Sequence, residues 1–456
     1  MNENLTSQIN LLEKYIIENM KKEDIPGISY AIIFNDEVVF ANSYGYSDKE
    51  NKIKTTLDTI FPIFSNTNLF TAIMCMHINE KNIINIDDPI KKYLNDLNLN
   101  HFFKDKNPLN ITFRHLISHT SGLPREAPLN YWISNKFPST KEVFNSINNI
   151  ELNFKPGTNY HYSNLGIVLL ASILEKVINM NYEDYIVQEI LIPLKMFNSG
   201  FDLKKLNNNS SISKIYTELN FDSLPNMNAF KRSGGLYSNI KDLSKFLSLQ
   251  FKYDSNQNEI LNSNTIFQMH KPQFILEDWS GGMGLGWALN KIKNYSTIRH
   301  SGGLLNGVSS NITAIPKLKF GTIILTNKDT QYLVEDLAYK SIEYLIPFFE
   351  EIKVNNNNNK IISLNLYEGF YKFDYFPNNY KFEIKALNNT LLAFFPDAGP
   401  LKKLNPVKFI PLGNDHFLMK NWFLPFFEDE LCHFKKDYSG NIIGIYISGF
   451  YSPKLK

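Results

Sequence analysis

Ser65 stands just before an apolar run, "SNTNLFTAIMCMHI", and Asn68 follows three residues later. A hydroxyl and an amide spaced i, i+3 at the start of a helix share one face. A helix start also offers unpaired N–H groups and the positive end of the dipole, which favour a developing alkoxide and can donate to an oxyanion. A second cluster, "YHYSNLGIVLLASILEKV", sets Tyr162, Ser163 and Asn164 before another apolar helix. A tyrosine whose proton affinity is lowered by a nearby cation serves as a general base. Asn164 carries both a donor and an acceptor for a substrate amide. A third cluster, "RHSGGLLNG", places His300, Ser301, Gly302 and Gly303 on a strand-like run. Glycines there let a ligand approach the backbone, and a free strand edge pairs with an extended acyl or peptide chain. Taken alone, the first two clusters read more readily as helix caps or loops, and the third also reads as a Gly-rich hairpin.

The surrounding pattern must bring the three together. Residues 5–22 carry Ile9, Leu12, Ile16 and Met20 at helical spacing, and "GISYAIIFNDEVVFANSYGYSD" reads as two strands joined at Asn35-Asp36. The run after Ser65 has Leu69, Phe70, Ile73, Met74 and Ile78 on one face. A mixed helical region follows from about Asp87 to Leu276, then four short β-like runs, then a helix over 334–349. This order predicts an antiparallel sheet, the terminal helices on one face and the helical insertion on the other. The string "VNNNNNK" has little to bury and reads as a linker. The expected domains are 1–350, a linker over 351–360, and 361–456. The last stretch, aromatic and β-prone with Asn-Asn, Gly-Asn and Ser-Gly turns, reads as a small antiparallel barrel. Its segment "NWFLPFFEDE" would line or fill the lumen.

Composition excludes several classes. The chain has 456 residues, 43% hydrophobic and 20% charged, with net charge +2, so no nucleic-acid footprint is expected. Cys75 and Cys432 form no disulfide framework, and Cys75 lies in an apolar helix as a buried thiol. No stretch is long and apolar enough to span a bilayer. The N-terminus lacks a signal pattern, which fits a cytoplasmic chain or a mature exported form. His115 and His119 at i, i+4 have no third ligand nearby, so no metal is expected. Asp87-Asp88-Pro89 marks a turn. Tyr131 and Trp132 lie in the insertion and either shape a pocket or pack.

Together the clusters resemble the serine β-lactamase and penicillin-binding-protein superfamily, in its class C β-lactamase-related branch. That family has Ser-x-x-Lys, then Tyr-x-Asn, then Lys-Thr-Gly or His-x-Gly. Here these read Ser65-Asn66-Thr67-Asn68, Tyr162-Ser163-Asn164 and His300-Ser301-Gly302. "ITFRHLISHTSGLP", "KPGTNYHYSNLG", "SGGLYSNIKDLSKFL" and "GLGW" look like the family as well. The resemblance covers residues 1 to about 350. It implies an α+β class C β-lactamase-like domain, and the C-terminal part is similar to appended lipocalin-like barrels. It implies Ser65 as acylated nucleophile, Tyr162 as base and then acid, and Asn164 orienting the substrate amide. The strand from His300 to Gly303 would pair with the acyl chain, and oxyanion donors would be the N–H of Ser65 and one near Gly303. The substrate would be a small molecule or a peptidyl amide or ester, and no cofactor is implied.

Asn68 departs from the pattern, because an amide can hold Ser65 but neither carries charge nor takes a proton near pH 7. Three readings remain open: an acyl enzyme with a substituted base, such as His161 or Tyr162 working with His300; an inactive relative that binds a ligand or partner; or an active parent in which Asn68 was introduced. A carrier function for the barrel is the remaining alternative of a different class.

Overall fold

A computed structural model describes residues 3–94, 110–134, 136–147, 150–206, 211–217, 226–252, 260–278, 280–304, 307–359, 364–373, 380–387, 390–396, 406–413, 415–420, 431–437, 439–447 and 450–455. The chain forms two compact units, Met1–Phe349 and Glu350–Lys456.

The first unit is built on a nine-stranded antiparallel sheet. Its strands run in the order Ile53–Lys54, Glu37–Asp48, Gly27–Phe34, Phe320–Thr326, Val308–Ile315, Tyr295–Leu304, Ala288–Ile292, Gly281–Met283 and Phe274–Ile275. The hairpin between the first two long strands turns at Asn35 and Asp36, both at positive φ (50° and 69°). Two such residues in succession match the twist of the flanking strands, and Asn and Asp tolerate the conformation best after glycine. Alternation along Gly27–Phe34 divides the core. Ile28, Tyr30 and Ile32 pack with Leu5, Ile9, Leu12 and Ile16 of helix Glu3–Lys22 and with Val334, Leu337 and Ile342 of the last helix. Ala31 and Ile33 face the helical insertion, whose apolar side chains fill the larger core. Among the described residues no single helix is long and apolar enough to cross a membrane.

The last helix, Gln331–Asn359, continues beyond the predicted end at 349 and through the asparagine run, which by composition reads as a linker. Propagation adds one hydrogen bond for each residue fixed, so a formed helix extends more readily than it starts.

The second unit is an eight-stranded antiparallel up-and-down sheet from Gly369–Phe373 to Phe450–Pro453. The Tyr371–Lys454 bridge and the Leu455 N–H bond to Phe370 O (2.7 Å) bring the last strand back beside the first, nearly closing a barrel. This is consistent with the expected lipocalin-like form. Tyr371, Phe382, Phe409, Phe417 and Phe434 form its core, so the described interior is filled by side chains. "NWFLPFFEDE" (421–430) lies outside the described residues.

Candidate active site

Ser65 sits in a one-turn 3-10 helix, Phe64–Asn66, that leads into helix Thr67–Glu80. The turn is pinned on both sides. Before it, Phe61 and Pro62 pair with Ser238 and Tyr237, and the Ile63 N–H donates to Leu236 O (3.0 Å). The Leu236 N–H in turn donates to Thr67 Oγ1 (3.2 Å). Phe64 takes φ +43°, a costly conformation for a bulky residue, and its ring is held by Ile215, Leu304 and Val308. Asn66, not Ser65, precedes the helix and makes no side-chain cap. The Ser65 hydroxyl is therefore left for other work, which the capping alternative does not provide.

The strand Tyr295–Leu304 lies against this turn. Asn66 Nδ2 donates to Ser310 Oγ (2.8 Å), and the Ser310 hydroxyl reaches Ile63 O (3.0 Å). A Cβ on Gly302 would stand 2.1 Å from Ile63 O and 3.0 Å from Ser65 N. Glycine is thus what lets the strand backbone approach the serine. Along the strand, His300 and Gly302 alternate with Ser301. Ser301 Oγ donates to Glu335 Oε1 (3.1 Å) and accepts from Asn311 Nδ2 (3.1 Å), so its hydroxyl is engaged on the other face. Gly303 pairs with Ser309.

Tyr162 is placed by a backbone clamp between its loop and residues 119–125. The His161 N–H donates to His119 O (2.9 Å), and the Ser163 N–H to His119 Nδ1 (3.2 Å). Ser163 Oγ donates to Pro124 O (2.7 Å), and the Leu165 N–H to Arg125 O (3.2 Å). Ser163 also caps helix Asn164–Val177 by accepting the Gly166 N–H (2.8 Å), so the cap reading holds for that residue. Asn68 Nδ2 donates to Tyr162 Oη at 2.6 Å. Burial pushes the Tyr162 phenol up to about 12, while hydrogen bonds from Ser65 and Asn68 and the Arg125 charge pull the other way. The Arg125 guanidinium lies 5.0 Å from the Tyr162 ring centre.

Two histidines flank the phenol. The His119 ring is 4.5 Å from that of Tyr162, and the His300 ring 6.4 Å. His119 Nδ1 accepts a hydrogen bond, so its proton sits on Nε2, which is buried without a partner. His300 Nδ1 lies 3.0 Å from Ser301 O, which can only accept, so His300 carries its proton there and keeps a lone pair on Nε2. Burial lowers His119 to about 3 and His300 to about 4, so both are neutral at pH 7. Asn68 Oδ1 is also buried without a partner.

The structure thus gathers Ser65, Asn68, Tyr162, His300 and Gly302. Asn164 Nδ2 donates to Glu126 Oε1, and Glu126 also accepts from Tyr131 Oη. Tyr131 is buried against Phe137 and Phe230, while Trp132 packs edge-on to Phe137. His115 Nδ1 accepts the Thr112 N–H in a capping box, and no group of three metal-ligating residues occurs among the described residues. Arg125, Glu126 and Ser310 carry no local signal in the sequence: their contacts with Tyr162, Asn164 and Asn66 join positions 37 or more apart.

A family model described as Beta-lactamase matches residues 12–342. "Protein flp" of Staphylococcus aureus (strain N315) is 29% identical over 343 residues, covering 73% of this chain and 66% of that protein. "Beta-lactamase-like protein 4" of Dictyostelium discoideum is 30% identical over 374 residues, covering 76% of this chain and 64% of that protein. The chain therefore spans just under two thirds of the length of these relatives. Among solved structures, the octameric penicillin-binding protein homologue from Pyrococcus abyssi is similar with TM-score 0.66 and 24% identity, covering 98% of this chain and 100% of that one. A class C β-lactamase in complex with cefoxitin is similar with TM-score 0.62 and 19% identity, covering 74% of this chain and 98% of that one.

Proposed function

Since the chain belongs to the β-lactamase family, we propose that it is a serine acyl-transfer hydrolase of peptides, amides or esters, working through an acyl-Ser65 intermediate and slowed by Asn68. The observation that carries this reading is the arrangement of Ser65 and Asn68 on one phenol, with the Gly302 backbone against the serine. In the proposed step Ser65 Oγ attacks the substrate carbonyl carbon. Its proton passes to the ionised Tyr162 Oη as the C–O bond forms, and the carbonyl pair moves onto oxygen. Collapse of this tetrahedral species breaks the bond to the leaving group, which takes the proton from Tyr162. Water then repeats the sequence on the acyl-serine and releases the acid. The N–H of Ser65 and one near Gly303 are the proposed oxyanion donors.

Asn68 limits the base rather than the nucleophile. With Tyr162 at about 12, the phenolate is about 10⁻⁵ of the protein at pH 7. A lysine ammonium in place of Asn68 would favour that phenolate by charge, whereas an amide does so only through one neutral hydrogen bond. Asn164 holds Glu126 in this structure, so substrate positioning is assigned here to the His300–Gly303 strand.

The same phenol supports a second reading, in which the protonated Tyr162 makes the pocket an acyl- or peptidyl-binding site without turnover. The two part company under a serine-reactive fluorophosphonate and a panel of β-lactams, followed by intact mass and peptide mapping. An adduct on Ser65, absent from Ser65→Ala, supports the acyl-transfer reading. Reversible binding of a β-lactam with no adduct from any reagent refutes it in favour of the binding protein.

A further inference from the structure

We infer that Arg125 takes over the electrostatic task left by Asn68, acting through Tyr162 as a positioning residue that favours its phenolate from beside the ring. This rests on the acyl-transfer reading for its consequence in catalysis, but its physical content is a property of Tyr162 alone.

The geometry has three parts. First, the guanidinium lies 5.0 Å from the ring centre, within the range in which a cation interacts with an aromatic face. Second, its backbone is fixed relative to that ring: Arg125 O accepts the Leu165 N–H, Pro124 O accepts the Ser163 hydroxyl, and His119 joins the same loop to residues 161 and 163. Third, the guanidinium acts on the ring despite its ion pair with Glu126: Arg125 Nε is 3.6 Å from Glu126 Oε1, and of these two charges Arg125 is the one that acts on Tyr162.

The other groups around Tyr162 are Ser65, Asn68, Tyr160, His119 and His300. The two histidines are neutral at pH 7 and Tyr160 is a phenol, so none of them supplies positive charge. Arg125 is the charged side chain among the influences on Tyr162, and it favours the ionised form. Where the family lysine would approach from the nucleophile helix, the cation here approaches from the loop over residues 119–125. A guanidinium keeps its charge at every pH used in an assay. Its side chain is 62% exposed, so solvent weakens the effect and an anionic ligand competes for it.

The test uses the full-length protein with a fluorinated tyrosine, which ionises below tyrosine itself, incorporated at position 162. Its ¹⁹F shift is followed against pH. Arg125→Gln is expected to raise the midpoint by roughly half a unit to one unit, about a three- to tenfold loss of phenolate at fixed pH. Arg125→Lys is expected to restore most of it, which a merely structural role would not require. The shift in Arg125→Gln should shrink as salt is raised to about 1 M. An unmoved midpoint in a variant that keeps the parent melting temperature overturns the inference. Acylation of Ser65 provides the second reading. Arg125→Gln should slow it by a similar three- to tenfold, and by less once Asn68→Lys supplies a charge of its own. Equal slowing in both backgrounds contradicts the substitution of one cation for the other. If no variant acylates Ser65, the acyl-transfer reading fails while the titration still decides the role of Arg125.

Discussion

Replacing Asn68 by lysine restores the one group whose absence limits the proposed chemistry. Asn68 is 1% exposed and its Nδ2 lies 2.6 Å from Tyr162 Oη. An ammonium there would meet the phenolate as a close ion pair. Two unit charges about 4 Å apart interact by about 4 kcal/mol at an effective dielectric of about 20. Part of this is lost because the ammonium must itself leave water. A remainder of about 3 kcal/mol lowers the phenol by about two units and raises its phenolate a hundredfold. The orphaned Oδ1 of Asn68 disappears with the substitution, and the Tyr162 oxygen that accepts from Asn68 Nδ2 would accept from the ammonium. Hydrolysis of a p-nitrophenyl acyl ester at pH 7 should therefore rise about a hundredfold in Asn68→Lys. The gain should vanish in Ser65→Ala/Asn68→Lys, and the rising limb of the pH profile should move to lower pH. A well-folded Asn68→Lys protein with no Ser65-dependent gain refutes the argument. Ser65-dependent activity already high with Asn68 and lost in His161→Ala would place the base on His161; lost instead in Tyr162→Phe, it would show Tyr162 working as base without a charge at position 68.

Three further outcomes follow from the geometry. Gly302→Ala puts a Cβ 2.1 Å from Ile63 O; it should cost at least about 2 kcal/mol in urea unfolding and abolish Ser65 labelling, and a variant with parent stability and labelling contradicts the close approach. His119, neutral and buried at about 3, binds no proton in the folded state between pH 4 and 6.5, whereas the unfolded chain does. Stability should fall on acidification through that window by up to about 1.4 kcal/mol per pH unit from this group, and a flatter slope in His119→Gln checks it. We propose that the two units fold independently, as the division at Phe349 and Glu350 suggests; a chain ending at Glu350 should melt cooperatively with the barrel absent, and aggregation of that piece would contradict independence.

Much of the fold was legible because its signals are local. Asn35-Asp36 turned the first hairpin, the stripe Ile9, Leu12, Ile16 marked the first helix, and spaced aromatic runs marked the barrel. The asparagine run reads as a linker by composition, whereas helix Gln331–Asn359 continues through it, because the continuation of a helix depends on what precedes it as well as on composition. Within the site, positions 65, 68, 162 and 300 to 303 point, through their resemblance to the family motifs, to the acyl chemistry proposed above and to the lysine that Asn68 replaces. Ser301 shows where sequence pattern stops: on an alternating strand its neighbour Gly302 lies against the serine while it bonds Glu335. Asn164 shows the same, since a donor two residues from Tyr162 found a carboxylate 38 residues earlier in the chain. Sequence alone determined which chemical groups are present and which one is lacking. Tertiary structure decided how strongly Tyr162 holds its proton, because that depends on burial and on an arginine brought to its ring by hydrogen bonds between two loops.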